Sequence, residues 1–173
     1  MNQKLYSLFF VIFMAVLNSI GYFGVDLYLP ALPVIAKSFD CGGICTKLIL
    51  SCYFWGFALG ALILGFYSDM VGRKKVILMG ICLSAVASII CFFDVGITTI
   101  ILGRILQGIG LGAVTAAARA VLTDKFSGKK LGKFLSVLNI MIPAILSVAP
   151  NICSTILVSV SYTHLTLPTT SRV

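Results

Sequence analysis

The chain has 173 residues, of which 60% are hydrophobic and only 10% charged. A soluble domain carries roughly 25% charged residues, so this composition excludes a water-covered globule and makes lipid the solvent for most of the chain. The net charge of +8 comes from 13 Lys and Arg against five Asp, and these basic residues lie between apolar runs. That placement argues against nucleic acid as a partner and for a topology signal.

A helix needs about 20 apolar residues to cross a hydrocarbon core of about 30 Å. Five stretches reach that length. The first predicted helix covers residues 5–36. Leu5 to Val25 carry no charge and no small-residue cleavage site follows, so the stretch reads as a retained span and not as a cleaved signal. Asp26 interrupts it, and Pro30 and Pro33 break it near its end. The next helices are predicted over 48–67, 76–93, 97–118 (containing Arg104) and 134–158. Short connections make neighbours antiparallel.

The Lys and Arg residues then set the orientation. One side carries Lys4, Arg73, Lys74, Lys75, Arg119, Lys125, Lys129, Lys130 and Lys133, and the other only Lys37 and Lys47. Nine against two predicts a cytoplasmic N-terminus. Small residues recur inside the spans, with Gly56 and Gly60 at GxxxG spacing and then Gly103, Gly108, Gly110 and Gly112. Such residues let helix backbones approach closely, and packing suffices to explain most of them.

The six cysteines form no disulfide or zinc framework by spacing. Cys41 and Cys45 share the short loop CGGIC, where a disulfide is the open alternative to two thiols. From Val160 the chain reads VSYTHLTLPTTSRV, without apolar periodicity. Residues 160–173 resemble the translated read-through of a transposase-based sequencing adapter, and His164 within them is assigned no role. The expected organisation is therefore a transmembrane bundle over 1–159 and a non-native tail.

Two charges fall at membrane depth, where an ionisable group is costly unless paired or hydrated. Asp26 lies ten residues before the outer end of the first predicted helix, about 15 Å inward, and Arg104 about 10 Å inward on the fourth. An Asp26–Arg104 pair is sterically expected. It reads either as a structural link or as a titrating carboxylate tuned by a neighbouring cation. A further cluster, GFYSDMVGRKKVIL over 65–78, places Asp69 and Arg73 one helical turn apart, with Gly72 at the turn. No nucleotide-binding loop, metal cluster or catalytic triad is legible, so no enzymatic activity and no cofactor is expected.

These residues resemble the major facilitator superfamily and, within it, the Bcr/CflA-type drug–proton antiporters. Gly65, Asp69, Gly72, Arg73 and Lys74 match the superfamily's signature between helices two and three. ILGRILQGIGLGA, with Arg104, Gln107, Gly108, Gly110 and Gly112, is similar to the fourth-helix antiporter motif, and DLYLPALPVIA to the first-helix signature of the branch. Tyr67, Ser68 and Met70 replace the usual Leu, Ala and Arg, which thins the expected charge relay. In the fifth helix SVAPNICS keeps Pro150 but lacks the motif's glycines.

The resemblance implies an all-α membrane bundle, the first five helices of a twelve-helix carrier of two halves related by repeats. The C-terminal half would be its missing partner in the same chain. It implies proton-coupled efflux by alternating access, driven by the proton gradient alone, with the lipid bilayer, protons and a small amphipathic substrate as partners. Asp26 and Arg104 would couple protons; Gln107, Tyr22 and Tyr28 would line the cavity; Asp69 and Arg73 would latch the cytoplasmic gate. An uptake carrier of the same superfamily, or an inert truncated product, are the alternatives.

Overall fold

A computed structural model describes residues 3–26, 29, 32–33, 42–92, 96–148, 151 and 155. Helix α1 runs Gln3–Asp26 and α2 Gly42–Leu59. A π-helical turn, Gly60–Leu64, continues α2 into the short α3, Gly65–Val71. Then follow α4 Arg73–Phe92, α5 Ile97–Lys125 and α6 Gly128–Leu146. Among the described residues there is no strand. Among the described residues four helices are long and apolar enough to cross a membrane: Phe9–Asp26, Gly43–Val71, Arg73–Phe92 and Ile97–Lys125.

Four of the five predicted spans have counterparts among these helices, with shifted bounds. The second and fourth are longer than their apolar runs, because a helix continues through charged residues until a backbone feature stops it. Gly72, at φ +106°, stops α3. Its N–H donates to the Ser68 carbonyl (3.1 Å), and no residue with a Cβ adopts that φ without strain. At the other end of the bundle Gly96, at φ +145°, precedes α5. The extension of α5 to Lys125 places Arg119 on the helix and not in the loop expected after it.

The fifth expected span is only partly visible. Helix α6 carries Lys129, Lys130 and Lys133 in its first turns and Pro143 inside it, and most of residues 149–158 lie outside the described residues. The expected outer end of the first helix, Tyr28, Pro150, Cys41 and the 160–173 segment also lie outside them. Cys45 is disulfide-bonded, whereas Cys52, Cys82 and Cys91 are free. The CGGIC loop left that possibility open, because spacing alone does not decide pairing.

Helix α5 is the hub, in contact with α1, α2 and α4. Val11, Met14, Ala15 and Leu17 of α1 bury against Val114, Ala118 and Leu122 of α5 and Leu138 of α6. At the opposite end Leu32, Ile49 and Ile100 form a second cluster.

Lipid supplies no hydrophobic drive between helices, so close backbone approach carries the packing. Glycines from both sides create it along the α2–α5 seam. Gly56 faces the backbone of Ile105, Gly60 that of Ile109, Gly108 the backbone of Tyr53 and Phe57, and Gly112 that of Phe57 and Ala61. On the α4–α5 seam a Cβ at Gly80 would come within 2.6 Å of the Gly110 carbonyl oxygen, and Gly103 abuts Cys91.

Candidate functional site

Two polar centres lie on these helices, one in the half of the bundle where α5 begins and one at the opposite end. Arg104, on the glycine-rich α5, is 6% exposed. Its Nη1 donates to Gln107 Oε1 (2.9 Å), one turn along the same helix. Gln107 Nε2 in turn donates to Ser88 Oγ (2.9 Å) on α4, whose hydroxyl donates to the Ser84 carbonyl (2.8 Å). Gln107 thus ties the Arg104 guanidinium to α4.

Arg104 also lines a small cavity of about 10 Å³ with Val25, Leu32, Ile49, Leu50 and Tyr53. A space of that size has room for about one water molecule. Tyr53, 2% exposed, donates from Oη to the Gly21 carbonyl (2.5 Å) and so links α2 to α1 beside the cavity. Sequence reasoning did not single out Tyr53. Its signal would have been a lone hydroxyl on the glycine-bearing face of the second span, where a buried phenol needs an acceptor.

Asp26 is half-buried and closes the described length of α1, next to the cavity-lining Val25. The ion pairs among the described residues are both made by Arg73, so the structure does not bring Asp26 and Arg104 into the expected pair. Arg104 Nη1 is instead engaged by Gln107, which links it to α4. Tyr22, expected in the cavity, packs its ring against Phe57 (centroids 5.7 Å apart) and accepts a hydrogen bond from Arg119 Nη2 (3.2 Å).

The second centre surrounds Arg73, the first residue of α4. Arg73 pairs with Asp69 across the helix break at Gly72, so the contact does not need the continuous helix that the spacing assumed. Arg73 Nε donates to Asp124 Oδ2 (3.1 Å) in the last turn of α5. Its Nη1 donates to Ser68 Oγ (2.5 Å), and that hydroxyl donates to the Gly65 carbonyl (2.6 Å). Ser68 is 1% exposed.

The relay expected to be thinned by Ser68 is instead completed by it, because a hydroxyl both accepts from the guanidinium and donates to the backbone. Gly65 lies against Ala116 of α5, and Lys74 is exposed. Asp124 was missed, since nothing local links it to a residue 51 positions away. Its signal was an acidic residue among the basic ones that end the fourth span.

The arrangement joins the α3–α4 corner to the end of α5 by charge-assisted hydrogen bonds, while a second guanidinium, Arg104, sits buried nearer the start of α5. Among the described residues no group of three or more His, Cys, Asp and Glu is placed to hold a metal ion.

Comparison with known proteins agrees with this architecture. The profile of the Major Facilitator Superfamily matches residues 9–166. The chain is similar to the MFS-type transporter YdgK of Bacillus subtilis (strain 168), 36% identical over 137 residues, covering 79% of this chain and 34% of the relative. It is 30% identical to a bicyclomycin resistance protein homolog of Haemophilus influenzae over 150 residues, 87% of this chain and 38% of that one. Multidrug resistance protein MdtL of Escherichia coli is 35% identical over 116 residues, 67% of this chain and 30% of the relative. The chain therefore spans about a third of the length of the curated relatives it matches. It is a multi-pass membrane protein of the major facilitator superfamily, and its relatives there are consistent with the Bcr/CflA-type branch.

Proposed function

We propose that the whole protein to which this chain belongs exports small amphipathic molecules from the cytoplasm in exchange for protons, by alternating access in a cell's inner membrane, with its N-terminus cytoplasmic. The observation that carries the reading is Arg104, a cation buried in the outer half of a membrane-capable helix and steered by Gln107. An intramembrane charge marks an ion or substrate pathway by default, and two relatives bear drug-resistance names. Asp26 follows the cavity-lining Val25 in the chain, and in this reading it is the carboxylate that carries the exchanged proton. The excess of Lys and Arg at the Arg73 end supports the orientation.

In this reading the Arg73–Asp69–Asp124 network holds the cytoplasmic end together in one of the two access states, no cofactor takes part, and the proton gradient supplies the energy. Asp26→Asn in the complete reading frame is expected to abolish proton-driven efflux from everted vesicles while leaving membrane insertion unchanged. Unchanged efflux sinks the coupling role, and substrate movement down the proton gradient turns the assignment to uptake.

A further inference from the structure

Arg119 stands on α5, six residues before its last residue Lys125 and so about 9 Å from the end of the helix at helical rise. Its Nε donates to Asn18 Oδ1 (3.1 Å) and its Nη2 to Tyr22 Oη (3.2 Å), both on α1. Both acceptors are neutral. Since the ion pairs among the described residues all belong to Arg73, none of those residues supplies Arg119 with a counter-charge.

The side chain is nevertheless exposed, so no described helix covers it. Asn18 beside it is 1% exposed, and its Nδ2 finds no hydrogen-bond partner among the described residues. What remains unmet here is all donor: Arg119 Nη1, Asn18 Nδ2 and the Tyr22 hydroxyl proton. A buried amide donor left unmet is costly, and a cation without a counter-charge beside it favours an anion there. Three donors around one positive charge, with no free acceptor, fit an oxyanion, and the planar guanidinium fits a carboxylate best. The Tyr22 and Phe57 rings supply adjoining aromatic surface.

We infer that Arg119, with Asn18 and Tyr22, binds the carboxylate or similar oxyanion of an amphipathic small molecule on the open face between α1 and α5. The inference rests on reading the whole protein as a small-molecule carrier and narrows its substrates to include amphipathic anions. A lipid phosphate offers the same chemistry, and the experiment separates the two sources.

The complete protein is purified into phosphatidylcholine nanodiscs, and thermal stabilisation by 2-naphthoate is compared with that by its neutral amide, 2-naphthamide. Binding to the folded state raises the unfolding temperature without a proton gradient, so this result and the efflux result fail independently. Naphthoate is expected to bind about tenfold more tightly than the amide, and Arg119→Gln to remove that preference. Asn18→Asp sets a fixed carboxylate against Arg119 and is expected to abolish the naphthoate response in a protein that remains folded, which covers the case in which Arg119→Gln does not fold. No stabilisation by naphthoate, equal binding of acid and amide, or a preference retained in either variant overturns the inference. So does loss of the response when phosphatidylglycerol is added to the discs, which assigns the site to lipid headgroups.

Discussion

On its α2 side, α5 meets backbone: Gly56, Gly60, Gly108 and Gly112 leave no space for a single added carbon. On its α1 side it meets side chains. Gly21 has Phe57 and Thr115 side chains for neighbours, and the polar link further along is Arg119 reaching to Asn18 and Tyr22. The first contact has one solution, since a backbone cannot step aside. The second has several, since rotamers can. Helices α2, α4 and α5 are therefore expected to hold together as one unit, with α1 the element more able to adjust against it.

This contrast gives its own tests, each read as unfolding free energy of the complete protein in mixed micelles. The largest effect belongs to Gly60→Ala, whose methyl would meet the backbone of Ile109; overpacking there is expected to cost about 3 kcal/mol. A cost below 1 kcal/mol would break the rigid-unit reading. Tyr53→Phe keeps the packing but leaves the Gly21 carbonyl without its phenol, an expected loss of about 1–2 kcal/mol. Ser68→Ala withdraws one partner from Arg73 and is expected to cost about 1 kcal/mol, with the Asp69 and Asp124 contacts retained. The smallest effect should be Gly21→Ala: its methyl presses on the Phe57 and Thr115 side chains, meets the Leu111 carbonyl only at ordinary contact distance and gains helix propensity, so the change is expected to stay within about 1 kcal/mol. If Gly21→Ala and Gly60→Ala cost the same, the two seams do not differ in kind.

The spans were legible because a 20-residue apolar run has no other use in a chain this poor in charge. Their ends were not. Hydropathy falls at Tyr67 and Ala118, whereas the helices persist to Val71 and Lys125, where Gly72 and the extended Phe126 stop them. The glycines were visible as spacing, but the spacing does not say that Gly108 and Gly112 face α2 while Gly110 faces α4. Asp69–Arg73 could be read because its partners lie within one turn; Ser68 and Asp124 could not, because folding alone brings them to the same guanidinium. Arg104 was marked by depth, but its direction was set by Gln107 and Ser88, and a sequence does not reveal which way a long side chain turns.

The π-helical turn at Gly60–Leu64 has a consequence for the aim of everything after it. In an unbroken α-helix each residue turns about 100°, so the residue seven after Gly60 would return to nearly the same face. That residue is Tyr67, yet Tyr67 is exposed and Ser68 is buried against Arg73. The wide turn absorbs one residue's worth of rotation, and the second half of the span runs one count late. Were those five residues to tighten into α-helix with the sequence unchanged, a bulky phenol would swing into the slot where a small hydroxyl now meets the guanidinium. Deleting one residue from the turn while it tightens would instead restore the count. The latch at the end of the span is thus keyed by a single extra residue placed two turns away.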